Sequence, residues 1–178
     1  MRIKSKKKSK KIIVIGDTHV SSLNQLDREI LIEIKGADFL FHVGDFTSKF
    51  VVDELIKLKK NKFKGVYGNA DPLEIRQILP PRDIVIIEGL KIGMTHPARG
   101  GSQGDTKNKV YAEFKNDDVD AIVYGHTHDP GIEQFKGILF INPGKAYIEK
   151  QSFGPSASFA ILNIDKNIRA KIKEISIS

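Results

Sequence analysis

KIIVIG, Lys11–Gly16, is apolar after its first residue, stops at glycine and leads directly into Asp17-Thr18-His19. A short unbroken apolar run of this kind predicts a strand buried on both faces. The same device returns twice downstream. Asp38–Val43 (DFLFHV) runs into Gly44-Asp45, and Phe63–Tyr67 runs into Gly68-Asn69. Between these runs, Asn24 to Lys35 carries apolar residues at 26, 30, 31 and 34, the spacing of one helix face. Ser48–Lys60 repeats that pattern, with lysines in its last turn. Strand, helix, strand, helix, strand implies right-handed crossovers and a parallel sheet. In such sheets ligands sit at the carboxyl ends of the strands, which is where the polar clusters fall.

Beyond Pro80-Pro81 the texture changes. Ile84–Ile87 and Lys91–Thr95 flank Glu88-Gly89-Leu90 as in a hairpin. Pro97–Asn108 is expected to be a long surface loop leading to a helix at about Lys109–Lys115. Short strands are expected at Ala121–Tyr124, Gly131–Phe135, Ile138–Ile141, Ser158–Asn163 and Ile168–Ile175, and this half is expected to be mostly antiparallel. No repeat at a solenoid period is visible, and no shift in composition marks a second domain.

The chain has 178 residues, 40% of them apolar, which suits one folded domain with a substantial core. No run is long and apolar enough to predict a membrane span, and no secretory leader is expected. With no cysteine, disulfides, zinc–thiolate sites and cysteine nucleophiles are excluded, and a reducing cytoplasmic setting is expected. The net charge of +7 comes from the amino terminus. Arg2, Lys4, Lys6, Lys7, Lys8, Lys10 and Lys11 are seven of the 29 basic residues, and those left match the 22 acidic residues one for one. Residues 1–10 are therefore expected to be a disordered basic arm ahead of a domain spanning 11–178. Contact of that arm with nucleic acid or an anionic membrane is the sharper reading; a solvated tail is the plainer one.

Five polar clusters stand at the ends of expected strands: Asp17-Thr18-His19, Gly44-Asp45, Gly68-Asn69-Ala70-Asp71, Thr95-His96 and Gly125-His126-Thr127-His128. Four of the five histidines fall in them. Carboxylates, imidazoles and an amide oxygen suit divalent ions such as Mn²⁺, Fe²⁺ or Zn²⁺. One Asp can bridge two ions about 3.5–4 Å apart, the spacing that clamps the attacking and leaving oxygens of an in-line displacement. Singly, each cluster has a plainer reading. Asn-Ala-Asp would serve as a helix cap before Pro72, and His96 as a buried hydrogen-bonded histidine. Their order and their shared position at strand ends carry the metal assignment.

That ordered series, D-x-H, G-D, G-N-x-D, H and G-H-T-H, resembles the calcineurin-like metallophosphoesterases, in their small bacterial and archaeal phosphodiesterase branch. The resemblance runs from Ile12 to Ile164 and includes Asn142-Pro143-Gly144. It implies an α/β (α+β) fold, a four-layer αββα sandwich of two mixed sheets flanked by helices. It implies that Asp17, His19 and His128 hold one divalent metal, that Asn69, His96 and His126 hold a second, and that Asp45 bridges them. Mn²⁺ comes first, with Zn²⁺, Fe²⁺ or Ni²⁺ as alternatives. The activity implied is phosphodiester or phosphomonoester hydrolysis by a bridging hydroxide attacking phosphorus, with Asp45, Asn69 and His96 at the catalytic centre. Asp71 would orient nearby groups, and His42, inside its strand, would be a buried structural histidine behind the ligands.

The chain departs from the family pattern at three places. Many members carry histidine or cysteine where this chain has Ala70. His-Gly-His becomes His96-Pro97-Ala98, and Asn-Pro-Gly meets Lys145 instead of serine. The losses at Ala70 and Pro97-Ala98 favour the alternative reading, a protein-binding scaffold similar to the retromer subunit of the same fold, with weak or no catalysis and a partner site on the Pro97–Asn108 loop. An RNA-processing enzyme is a third reading, suggested by the basic arm alone, since no RNA-binding motif is identifiable in the domain.

Overall fold

The computed structural model describes residues 9–97, 105–148 and 156–175. Its strands are β1 (Lys10–Ile15), β2 (Phe39–His42), β3 (Phe63–Gly65), β4 (Arg82–Ile87), β5 (Leu90–Thr95), β6 (Ala121–Tyr124), β7 (Gly131–Phe135), β8 (Ile138–Asn142), β9 (Ser158–Ile164) and β10 (Ile168–Glu174). Its α-helices are α1 (Arg28–Gly36), α2 (Lys49–Lys59), α3 (Leu73–Arg76) and α4 (Thr106–Phe114).

Two five-stranded mixed sheets form, in the orders β10-β9-β1-β2-β3 and β4-β5-β6-β8-β7. Side-chain alternation along β1 builds the layers. Ile13 and Ile15 pack with Ile30 and Ile34 of α1 and Val51, Val52 and Leu55 of α2. Ile12 and Val14 point the other way and meet Ile92, Met94, Ala121, Val123 and Ile141 of the second sheet. On that sheet's far face, Ile122 and Phe140 meet Val110 and Phe114 of α4. The result is the four-layer αββα sandwich that the family resemblance implied. It buries both faces of β1, as its unbroken apolar run requires.

The first three strands pair in parallel, Ile12 beside Phe39 and Leu40 beside Phe63. The second half differs from the expected mostly antiparallel arrangement at its centre. Hairpins β4-β5 and β7-β8 flank it, but β5-β6 and β6-β8 are parallel. The crossover through α4 connects β5 to β6 and makes that pairing possible.

Local chemistry shifts several boundaries. The helix expected over Asn24–Lys35 divides: a 3-10 turn at Leu23–Gln25 ends at extended Leu26, and α1 starts after Asp27, whose carboxylate accepts from Glu29 N at 2.7 Å. Helix α4 starts inside the expected surface loop, and the short α3 follows Pro72, where the capping reading of Asn-Ala-Asp put a helix start. Of the expected basic arm, residues 1–8 lie outside the described residues, while Lys10 already pairs with Ile164 in β9. Residues 98–104, most of the Pro97–Asn108 loop and including Ala98, also lie outside them. Among the described residues, no helix is long and apolar enough to cross a membrane.

Lys59 shows how the helical layer is locked. Its buried ammonium donates to the carbonyls of Ile34 (2.9 Å) and Ala37 (2.6 Å), closing the carboxyl end of α1 from the end of α2. Lys59→Met keeps the stem, orphans Ala37 O and leaves Ile34 O with only the Ala37 N–H. Urea unfolding is expected to show a loss of about 1–2 kcal/mol; a loss under about 0.3 kcal/mol would contradict this role for the ammonium.

Candidate metal centre

Parallel strands of both sheets present their carboxyl ends on one side of the sandwich, and all seven expected ligands gather there. Asp17 and His19 follow β1, Asp45 follows β2, Asn69 follows β3, His96 follows β5, and His126 and His128 follow β6. Donor atoms of Asp17, His19 and His128 lie within 4.8 Å of one another, as do those of Asp17, Asp45 and His96. Asp17 is common to both groups. Asp45 Oδ2 stands 3.8 Å from His19 Nε2 and 3.4 Å from His96 Nε2, between the two. Asn69 Oδ1 lies 3.1 Å from His96 Nε2 and 3.0 Å from His126 Nδ1.

The loops carrying these residues are tied to one another. Asp17 N donates to Gly44 O at 2.9 Å, and Thr18 N to Asp45 O at 3.1 Å. Asp17 Oδ2 accepts from His126 N at 3.2 Å, and Asp45 Oδ1 from Ala70 N at 2.8 Å. The buried Asp71 carboxylate accepts from Asp45 N (2.9 Å), Thr47 N (2.8 Å) and Gly68 N (2.7 Å), holding the β2 and β3 exits together. Gly68 is needed for this approach, because a Cβ there would stand 2.1 Å from Asp45 Oδ1. Gly44 has φ +99°, and its Cβ would press on the His96 ring at 2.6 Å.

Five of the seven residues have left-handed backbone without being glycine: Asp17 (φ 48°), His19 (45°), Asp45 (58°), His126 (83°) and His128 (62°). Each such residue costs on the order of 1 kcal/mol or more and persists only where its surroundings over-determine it. Their concentration at one place marks the site independently of residue type.

The electrostatics fit a cation. Asp17 and Asp45 are buried, and among the described residues their ion-pair partners are histidines alone. His96 Nδ1 donates to Val43 O at 2.7 Å, which fixes the neutral tautomer with a lone pair on Nε2. That lone pair faces two acceptors, Asn69 Oδ1 and Asp45 Oδ2. Three acceptors converging on one point repel unless a positive charge sits among them. The same acceptors favour a proton on Nε2. Burial works against charging His96, but the Asp45 hydrogen bond and the charge of Asp17 outweigh it and raise its pKa. His128 is raised chiefly by its Asp17 hydrogen bond, whereas burial lowers His126. For Asp45, burial pushes the carboxyl up, and the His96 bond and charge, together with the Ala70 N–H and His19, more than offset it. A divalent ion would supply the same positive charge, and nitrogen and oxygen donors without sulfur suit Mn²⁺, Fe²⁺ or Zn²⁺.

His42 is placed differently. Gly44 N donates to its Nδ1 at 3.2 Å, so its Nε2–H donates to Thr18 Oγ1 at 3.1 Å. Its ring stacks on Phe46 at 3.5 Å, and burial holds its pKa well below the ordinary value. Both nitrogens are occupied, so the ring braces the β1 and β2 exits.

Two neighbours carried no readable signal in the sequence. Tyr147 sets its ring edge-on to His19 (centroids 5.2 Å apart) and His128 (6.2 Å), with buried Lys145 Nζ 4.7 Å from its centroid. Arg76 of α3 donates from Nη2 to Asn69 O and from Nε to Asp71 O, both at 2.8 Å. A lone tyrosine and a lone arginine have no spacing that would single them out.

Comparison with known proteins identifies relatives of this chain. The chain is 32% identical over 160 residues to a probable metallophosphoesterase of Methanocaldococcus jannaschii, covering 89% of this chain and 78% of that protein. It is 28% identical over 146 residues to a phosphodiesterase of the same organism, covering 76% and 83%. The solved structure of Vps29 from Entamoeba histolytica, complexed with Zn²⁺, superposes with a TM-score of 0.70 at 22% identity, covering 92% and 98%, a likeness of fold. The profile of the calcineurin-like phosphoesterase superfamily domain matches residues 11–167. This chain belongs to the calcineurin-like phosphoesterase superfamily.

Proposed function

We propose that the chain is a metal-dependent phosphoesterase, acting first on phosphodiesters, with two divalent ions at this centre. Asp17, His19 and His128 would hold one ion, Asn69, His96 and His126 the other, with Asp45 between them. The observation that carries this reading is the pair of buried carboxylates facing imidazole and amide acceptors with no lysine or arginine partner among the described residues. Bound there, such ions lower the pKa of water and stabilise charge on phosphoryl oxygens. The Val43 carbonyl and the Asp71 carboxylate would keep His96 and the Asp45 loop oriented. Ala70 offers only its backbone N–H, to Asp45, so nothing at that position protonates a leaving group. Esters with good leaving groups are therefore expected to react fastest.

The test is hydrolysis of a bis-aryl phosphate by metal-stripped protein before and after Mn²⁺ is restored. Turnover that is absent without metal and returns with it is the expected result. Two bound ions without turnover would overturn the enzymatic reading and favour the protein-binding scaffold, for which the lost imidazole at Ala70 is the supporting observation.

A further inference from the structure

We infer that the cavity beside Asn69 and His96 is a second anion subsite, selecting phosphoesters whose arm on that side carries a further phosphate. The inference rests on the hydrolase reading above and names its substrate class. The cavity has a volume of about 420 Å³, in the range of small-molecule sites, and is lined by Tyr67, Arg76, Pro81, Arg82 and Thr95 together with the two expected ligands.

Both arginines are held in advance of any ligand. Arg76 is fixed by its bonds to the Asn69 and Asp71 carbonyls and lies 5.4 Å over the Tyr67 ring. No carboxylate neutralises it among the described residues, and its remaining N–H donors have no protein acceptor there. Arg82 packs 4.4 Å over the Phe114 ring and pairs with Asp117 through Nη2 at 2.6 Å. Its Nε is buried without an acceptor among the described residues, so on this half-exposed side chain the donors open to a ligand are those at the Nη end. Glu113 also lines the cavity, and it accepts the Thr95 hydroxyl at 2.5 Å. Planar guanidinium forks with spare donors match the oxygens of a phosphate, and their fixed positions reduce the entropy lost on binding. A phosphoryl group at the metal centre and a second phosphate in this cavity would be joined by the ester arm passing Asn69 and His96.

The probes are thymidine 5′-(p-nitrophenyl phosphate) and the same ester carrying a 3′-phosphate, which share one leaving group. The 3′-phosphorylated ester is expected to show kcat/KM about tenfold higher. Arg82→Gln should remove that preference, and so should Arg82→Lys, which can retain the ion pair to Asp117 but lacks the planar fork. The ratio between the two substrates is insensitive to the fraction of folded enzyme. Equal kcat/KM for both esters, or a ratio untouched by either variant, would overturn the subsite. Calorimetry on the Mn²⁺-loaded protein separates the two readings. Thymidine 3′,5′-bisphosphate should bind about tenfold tighter than thymidine 5′-monophosphate, and this advantage should vanish in Arg82→Lys. That result without any turnover would support the subsite and sink the hydrolase, whereas equal affinities would overturn the subsite whatever the turnover.

Discussion

Asp45→Ala is expected to lower hydrolysis of a bis-aryl phosphate at least about a thousandfold, about 4 kcal/mol of transition-state stabilisation. The size follows from the number of tasks that meet on one carboxylate. Oδ2 stands between His19 and His96, and Oδ1 accepts from Ala70 N. Alanine removes the charge that balances His96 and the oxygens that would touch both ions, so both sites weaken together. Metal content after dialysis against Mn²⁺ is the companion measurement and should fall below one ion per chain. Full metal content with intact turnover would remove Asp45 from the centre of the site. Asp45→Asn keeps the shape and one oxygen acceptor, and is expected to retain more metal than alanine while still losing most activity.

Asp71→Ala should be the most destabilising single change around the site, although Asp71 is not among the expected ligands. Its carboxylate is the acceptor for three backbone N–H groups, and the residue is 2% exposed. Orphaning a buried donor costs about 1–3 kcal/mol, and water entering the space left by the side chain recovers part of it, so about 3–5 kcal/mol is expected in all. Urea unfolding of the metal-stripped protein measures this without contribution from bound ions. Asp71→Asn retains one oxygen acceptor and should lose about half as much. A loss under 1 kcal/mol for Asp71→Ala would mean that the β2 and β3 exits hold their shape without the carboxylate. Arg76, bonded to the carbonyls of Asn69 and Asp71, braces the same turn from its other side.

The two changes separate binding from scaffolding. In the proposed reading Asp45 serves the metal ions and accepts one backbone N–H, from Ala70, while Asp71 accepts three and fixes the backbone on which Asp45 stands. The order expected from hydrolysis and the order expected from unfolding are therefore opposite.

Much of this was legible in the order of residues. The apolar runs of β1 and β2 predicted two-sided burial, and β1 lies between the helical layer and the second sheet. Polar residues directly after glycine-ended strands predicted where the site would be, and all seven expected ligands meet there. The boundaries of α1 and α4 were less legible, because the Asp27 cap competes with an apolar periodicity that runs across it.

The sequence by itself determined the donor chemistry, the faces of the strands and their exit points, because these depend on residue type and on periods of two and 3.6. Tertiary structure alone decided that β5, β6 and β8 run parallel, which brings His96 and His126 against Asn69. It alone decided the left-handed backbone at Asp17, His19, Asp45, His126 and His128, the three bonds to Asp71, and the cavity shared by Arg76 and Arg82. The physical reason is common to all of these. Strand partners, strained torsions and buried polar bonds draw their energy from neighbours distant in the chain, so no local window of residues contains it.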